Sequence, residues 1–136
     1  MLIFKDTINS IQLTLFALVT LSLWCAGCQT AAEANRVDPL QARSTLEAVL
    51  TSWQQGDSID SWSSKQPQVA VQDLDWKAGF KLKSFEFLEP DEAVDANLFC
   101  KVKLTLADTS SKQSTQTVTY IVGTSPVRTV FRSLMP

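Results

Sequence analysis

Histidine is missing from this chain altogether. Its absence removes the commonest acid/base group near neutral pH and the commonest nitrogen ligand for zinc, copper or iron, which lowers the expectation of an enzyme. An excess of either charge is missing too. Twelve Lys and Arg stand against 14 Asp and Glu in 136 residues, which argues against capture of nucleic acid by the whole molecule. Cysteine is scarce. Three cysteines without histidine cannot complete the four soft ligands of a structural zinc site. No βαβ pattern precedes Cys25, so the C-A-G-C of Cys25 to Cys28 lacks the strand-to-helix frame of a thioredoxin-type pair. No metal and no cofactor are expected.

What the N-terminus does contain is a charge-free apolar run, "IQLTLFALVTLSLW", from Ile11 to Trp24. Lys5 and the terminal amine form a weak positive flank, partly offset by Asp6. An apolar core of this length suits a signal peptide and is short for spanning a bilayer. Ala26 and Gly27 are small residues directly before Cys28, and this end of the run resembles a bacterial lipobox. The departure is Cys25, where that pattern prefers Leu. An uncleaved anchor and an ordinary secretory signal cut nearby are the alternatives. The resemblance implies that residues 1–27 are removed, that Cys28 carries lipid, and that residues 28–37 form a tether to the membrane. Cys100 would then be the one remaining free thiol, with no partner for an internal disulfide.

The length predicts one domain, here over residues 38–136. Asp38 is a good N-cap, Pro39 fits the first helical position, and Gly56 marks a stop, which predicts a long helix between them. Leu46, Val49, Leu50 and Trp53 recur at helical spacing, with Leu40 and Ala42 or Arg43 extending the stripe. A short helical turn is expected around Ile59 and Trp62, ended by Pro67. From there the period becomes two. "QVAVQD" reads as a short strand and "LDWKAG" as a turn carrying Trp76. In "FKLKSFEFLEP" the apolar phase switches near Ser84: Phe80 and Leu82 point one way, Phe85 and Phe87 the other, which suggests a bulge or a sharp bend. "NLFCKVKLTLAD", "STQTVTYIVG" and "PVRTVFRSL" complete the strands, with "DTSSK" as hairpin chemistry.

Helices first and about five strands afterwards predict an α+β fold, a mainly antiparallel sheet with the long helix, and a short second one, on one face. With the bent strand and the long strands after it, this order resembles the NTF2-like, cystatin-like cone, a curved sheet wrapped around its N-terminal helix. "WKAG", "FCKVKLTL" and "VTYIVGTSPVRTVFR" resemble small bacterial lipoprotein domains of that superfamily. The resemblance implies a cone-shaped pocket and brings no catalytic motif.

The candidate site residues each have a plain counterpart. Tyr120, in phase with Val118 and Val122, is either a proton donor in a cavity or a core tyrosine with a satisfied hydroxyl. Trp53, Trp62 and Trp76 either line a pocket or fill the gap between helix and sheet. Asp73 and Asp75 suit turn formation and helix capping better than a metal cage. Cys100 shares the phase of Leu98, Val102 and Leu104, which predicts an inert buried thiol. Lys81, Lys83, Lys101, Lys103, Arg128 and Arg132 are expected on the outer sheet face, with Asp57, Asp60, Asp91, Glu92 and Asp95 in loops. That face is either solvated or a docking surface for an anionic envelope component, such as lipid headgroups, polysaccharide or an acidic protein. The sequence thus reads as an exported, lipid-anchored accessory or interaction module of the cell envelope rather than an enzyme. Its competitor is a small-molecule binder or minor enzyme working inside the cone.

Overall fold

Residues 35–135 are described by the computed structural model. The signal segment, Cys25, Cys28 and most of the expected tether lie outside the described residues.

Helix α1 (Pro39–Gln54) starts where Asp38 Oδ1 accepts from the backbone N–H of Leu40 and Gln41. It ends in a Schellman motif. Gly56 has φ of 91°, its N–H bonds the Trp53 carbonyl, and the N–H of Asp57 bonds the Ser52 carbonyl. Its buried stripe is Ala42, Leu46, Val49, Leu50 and Trp53, whereas Leu40, expected to extend it, is 85 % exposed. A 3-10 helix (Ile59–Ser63) follows and buries Ile59 and Trp62.

Strand β1 (Val69–Gln72) leads into α2 (Leu74–Lys77). The turn expected to carry Trp76 is thus a single turn of α-helix. Asp73 caps it by accepting from the N–H of Asp75 and Trp76, and Gly79, at φ of 91°, closes it with a second Schellman motif.

Strands β2 (Lys81–Val94), β3 (Asn97–Ala107), β4 (Gln113–Gly123) and β5 (Arg128–Arg132) run as an antiparallel meander. β1 joins β5 in parallel, giving the order β1-β5-β4-β3-β2. The fold is α+β with an open, mostly antiparallel five-stranded sheet. One face carries Leu98, Cys100, Val102, Leu104 and Leu106 of β3, with Tyr120, Val122 and Val130, and packs in one core with the α1 stripe.

β2 holds two register shifts. Lys83 is an extra residue between the pairs Leu82↔Leu106 and Ser84↔Thr105. The bulge expected near Ser84 therefore exists, but its effect is the reverse of the expected split. Absorbing one residue returns Phe85 and Phe87 to the side of Leu82, opposite Leu104 and Val102. Further on, Glu89, Pro90 and Asp91 together oppose Cys100. β2 then continues to Val94, so Asp91 and Glu92 lie in a strand and not in a loop.

Candidate functional site

Two polar clusters and one groove hold the residues with chemical capacity. The first cluster is assembled by α2 above β4 and β5. Asp73 is 3 % exposed, and its Oδ2 accepts the Tyr120 hydroxyl at 2.7 Å. Its Oδ1, already the helix cap, also faces an Arg132 guanidinium N–H at 3.4 Å. Arg132 bonds Asp75 Oδ2 as well, and Gln116 donates to that same oxygen at 2.8 Å. Burial first, then the adjacent Asp73 charge, pushes the Tyr120 phenol well above its ordinary value. Burial acts to lower the Arg132 guanidinium, but Asp75 and Asp73 outweigh it and hold it above its usual range. A tyrosine so held neither ionises nor has a free proton to give near neutral pH. The cluster is a fastening between α2 and the sheet.

The second cluster joins α1 to the irregular part of β2. Arg43 pairs with Glu89 and Asp91, and its guanidinium lies 3.6 Å from the Phe87 ring centroid. Those carboxylates outweigh burial and raise the guanidinium. Asp91 Oδ1 is buried without an N–H or O–H donor, and the weak S–H donor of Cys100 adjoins that carboxylate. Cys100 is fully buried. Desolvation, reinforced by Asp91, pushes its thiol up to about 12, so it is neutral and shielded.

The groove lies at the C-terminal ends of both α-helices and has a cavity volume of about 930 Å³. Its lining falls into two segments, residues 53–60 and 76–83. Two tryptophans sew these together. Trp53 and Trp76 stack with centroids 5.2 Å apart and planes within 6°. The Trp53 indole N–H donates to the Phe80 carbonyl at 2.8 Å, and that of Trp76 to the Asp57 carbonyl at 3.0 Å. The two rings are 2 % and 7 % exposed, so they form a floor and do not stand free.

The four residues expected to share a pocket are therefore dispersed. Trp53 and Trp76 meet in the groove. Trp62 faces a separate, shallower depression with Lys65, whose ammonium sits 3.9 Å from the indole centroid, while its N–H bonds Ser52 Oγ at 3.2 Å. Tyr120 lines neither concavity; it is 1 % exposed in the core.

The six basic residues are dispersed as well. Lys101 and Lys103 project from the outer face of β3, where Lys103 lies opposite Glu86. Lys81 and Lys83, at the start of β2, line the groove. Arg128 and Arg132 share the phase of Val130, which is fully buried, so β5 carries them on the face that packs on α1. The expected outer placement of these two arginines is incorrect. Val130 and Phe131 are adjacent apolar residues, so either phase of β5 was open from sequence; the carboxylates of Asp73 and Asp75 stabilise the one that turns Arg132 inward.

Sequence reading missed both clusters. The available signal was Gln116 and Arg132 in the inward phase of Val118, Tyr120 and Val130, where a buried cation requires a carboxylate. Among the described residues no group of three His, Cys, Asp or Glu side chains is arranged to hold a metal. No family model, no curated protein and no solved structure matches the chain.

Proposed function

We propose that this protein is a bacterial envelope lipoprotein whose globular domain is a non-enzymatic accessory or interaction module. Anchoring rests on the sequence: the apolar run of residues 11–24 followed by Ala26-Gly27-Cys28. Among the described residues no helix is long and apolar enough to cross a membrane, and in this reading attachment comes through lipid on Cys28. The helix-first order, the bulged β2 and the long β3 and β4 favour an NTF2-like domain, here a filled variant of the cone.

The observation that carries the non-enzymatic reading is the Tyr120 hydroxyl, buried and committed to Asp73 at 2.7 Å. An acid/base site at the centre of the sheet would need that hydroxyl facing a substrate. Side chains of the core occupy that place instead. Feeding cells a radiolabelled fatty acid tests the anchor: the wild type incorporates label and Cys28→Ser does not. Equal labelling of both overturns the lipoprotein assignment.

A further inference from the structure

The carboxylates and ammonium groups of the groove are sorted between its walls. Wall one, residues 53–60, carries Asp57 and Asp60 together with the last residues of α1. The C-terminus of a 16-residue helix adds negative potential there, and no basic side chain occupies the last turn of α1 to offset it. Wall two, residues 76–83, carries Lys77, Lys81 and Lys83. None of these lysines forms an ion pair with a carboxylate of the described residues, and Asp60 has no cationic partner there either. Asp57 is engaged by Lys65 at 3.8 Å and by the Ser52 hydroxyl at 2.7 Å, all three lining the shallower depression beside Trp62.

The acidic and basic side chains thus line one groove without pairing across it. The two segments are stitched together at the groove's base, where the indoles stack, each donates to the opposite segment's backbone, and Gln54 Nε2 donates to the Lys83 carbonyl at 2.9 Å. Gly56 is exposed, and a Cβ added there would meet nothing within 4 Å, so the first wall is uncrowded at that point. The polarity of the groove is built into its two segments.

We infer that this groove is a binding site for a zwitterionic ligand, a short peptide with free amino and carboxyl termini, held with its ammonium at the Asp60 wall and its carboxylate at the Lys81–Lys83 wall. A neutral ligand would leave both walls unpaired. A simple anion would meet the lysines but also Asp60 and the helix terminus. Only a molecule charged oppositely at its two ends complements both sides. The cavity volume falls in the range that accommodates small ligands, and an extended tripeptide of ~10 Å is of that size. The inference rests on the domain being a binding module, but not on its lipid.

The test uses full-length protein in non-ionic detergent and follows the indole N–H resonances of Trp53 and Trp76 by NMR. The probes are tri-alanine with free termini, its N-acetyl form, its C-terminal amide and the doubly blocked peptide. The free peptide is expected to shift both resonances saturably at millimolar concentration, with either singly blocked form weaker by roughly tenfold. In a double Lys81→Gln, Lys83→Gln variant the free peptide should bind no better than its amide; in Asp60→Asn, no better than its N-acetyl form. Equal binding of the N-acetyl and free peptides would overturn the zwitterion assignment in favour of an anion site. Absence of any saturable shift would make the walls ordinary solvated rims. Failure of the lipid-labelling experiment leaves all of these readouts unchanged.

Discussion

Tyr120 and Asp73, 47 residues apart in the chain, share a buried 2.7 Å hydrogen bond that ties β4 to the cap of α2. The acceptor is a carboxylate that also caps the helix, so removing the donor leaves a buried oxygen short of a partner. Tyr120→Phe is expected to lower stability by about 1.5–3 kcal/mol, as for hydrogen bonds to charged groups. Asp73→Ala should cost more, since the cap and the Arg132 contact go with it. Urea denaturation of the two variants checks the order. A Phe variant as stable as wild type would mean the hydroxyl contributes nothing to the core.

Arg132 and Arg128 are two turns of one alternation, yet only Arg132 is paired with Asp73 and Asp75. Arg132→Ala strands two carboxylates near the core and should destabilise by roughly 3–5 kcal/mol. Lys101→Gln and Lys103→Gln, on the exposed face, should each stay within about 0.5 kcal/mol of wild type. Comparable losses in all three would contradict the inward placement of Arg132.

Trp53 fills the space between α1, α2 and the start of β2. Trp53→Ala should cost ~3–5 kcal/mol through lost burial and a residual cavity. It should also move the Trp76 indole resonance, because the stacking partner is gone. A marginal effect in thermal melts would show that the floor of the groove is not fixed by this pair.

Cys100 supplies a pH dependence. Its folded-state pKa is raised to about 12 by burial, so the native state holds the thiol proton more tightly than the unfolded chain does. The resulting stability is fully present below the ordinary thiol pKa and is lost as pH rises toward 12. Stability should therefore fall more steeply across alkaline pH in wild type than in Cys100→Ala. Thiol reagents should modify the native protein only as fast as it unfolds. Rapid stoichiometric labelling of the native thiol would refute its burial.

How far these arrangements are visible in the sequence depends on the range of the interaction that makes them. Asp38-Pro39 and Gly56 bracket α1 because caps and stops are decided by adjacent residues. The alternation from Leu98 to Leu106 is unambiguous because one face is wholly apolar. The switch near Ser84 disclosed the bulge but not its sense, since one inserted residue rejoins two stretches that plain alternation sets on opposite faces. The phase of β5 is ambiguous because Val130 and Phe131 compete, and the arbiter, Asp73, lies 59 residues from Arg132. The groove was partly legible: Trp53 and Trp76 were marked, but the sorting of charge onto two walls needs the three-dimensional meeting of residues 53–60 with 76–83.

The chain enters the domain at Val37, whose N–H bonds the Asp95 carbonyl, while the Asp38 N–H bonds Thr124 Oγ1. These clips tie the entry to the turn between β2 and β3 and to the loop between β4 and β5. The groove lies past the other end of α1, ~24 Å away at 1.5 Å per helical residue. The start of α1 is thus fastened at two turns of the sheet. The two ends of α1 are therefore held by different means, main-chain and hydroxyl clips to two turns at its start and stacked indoles at its finish, so loosening one end need not loosen the other.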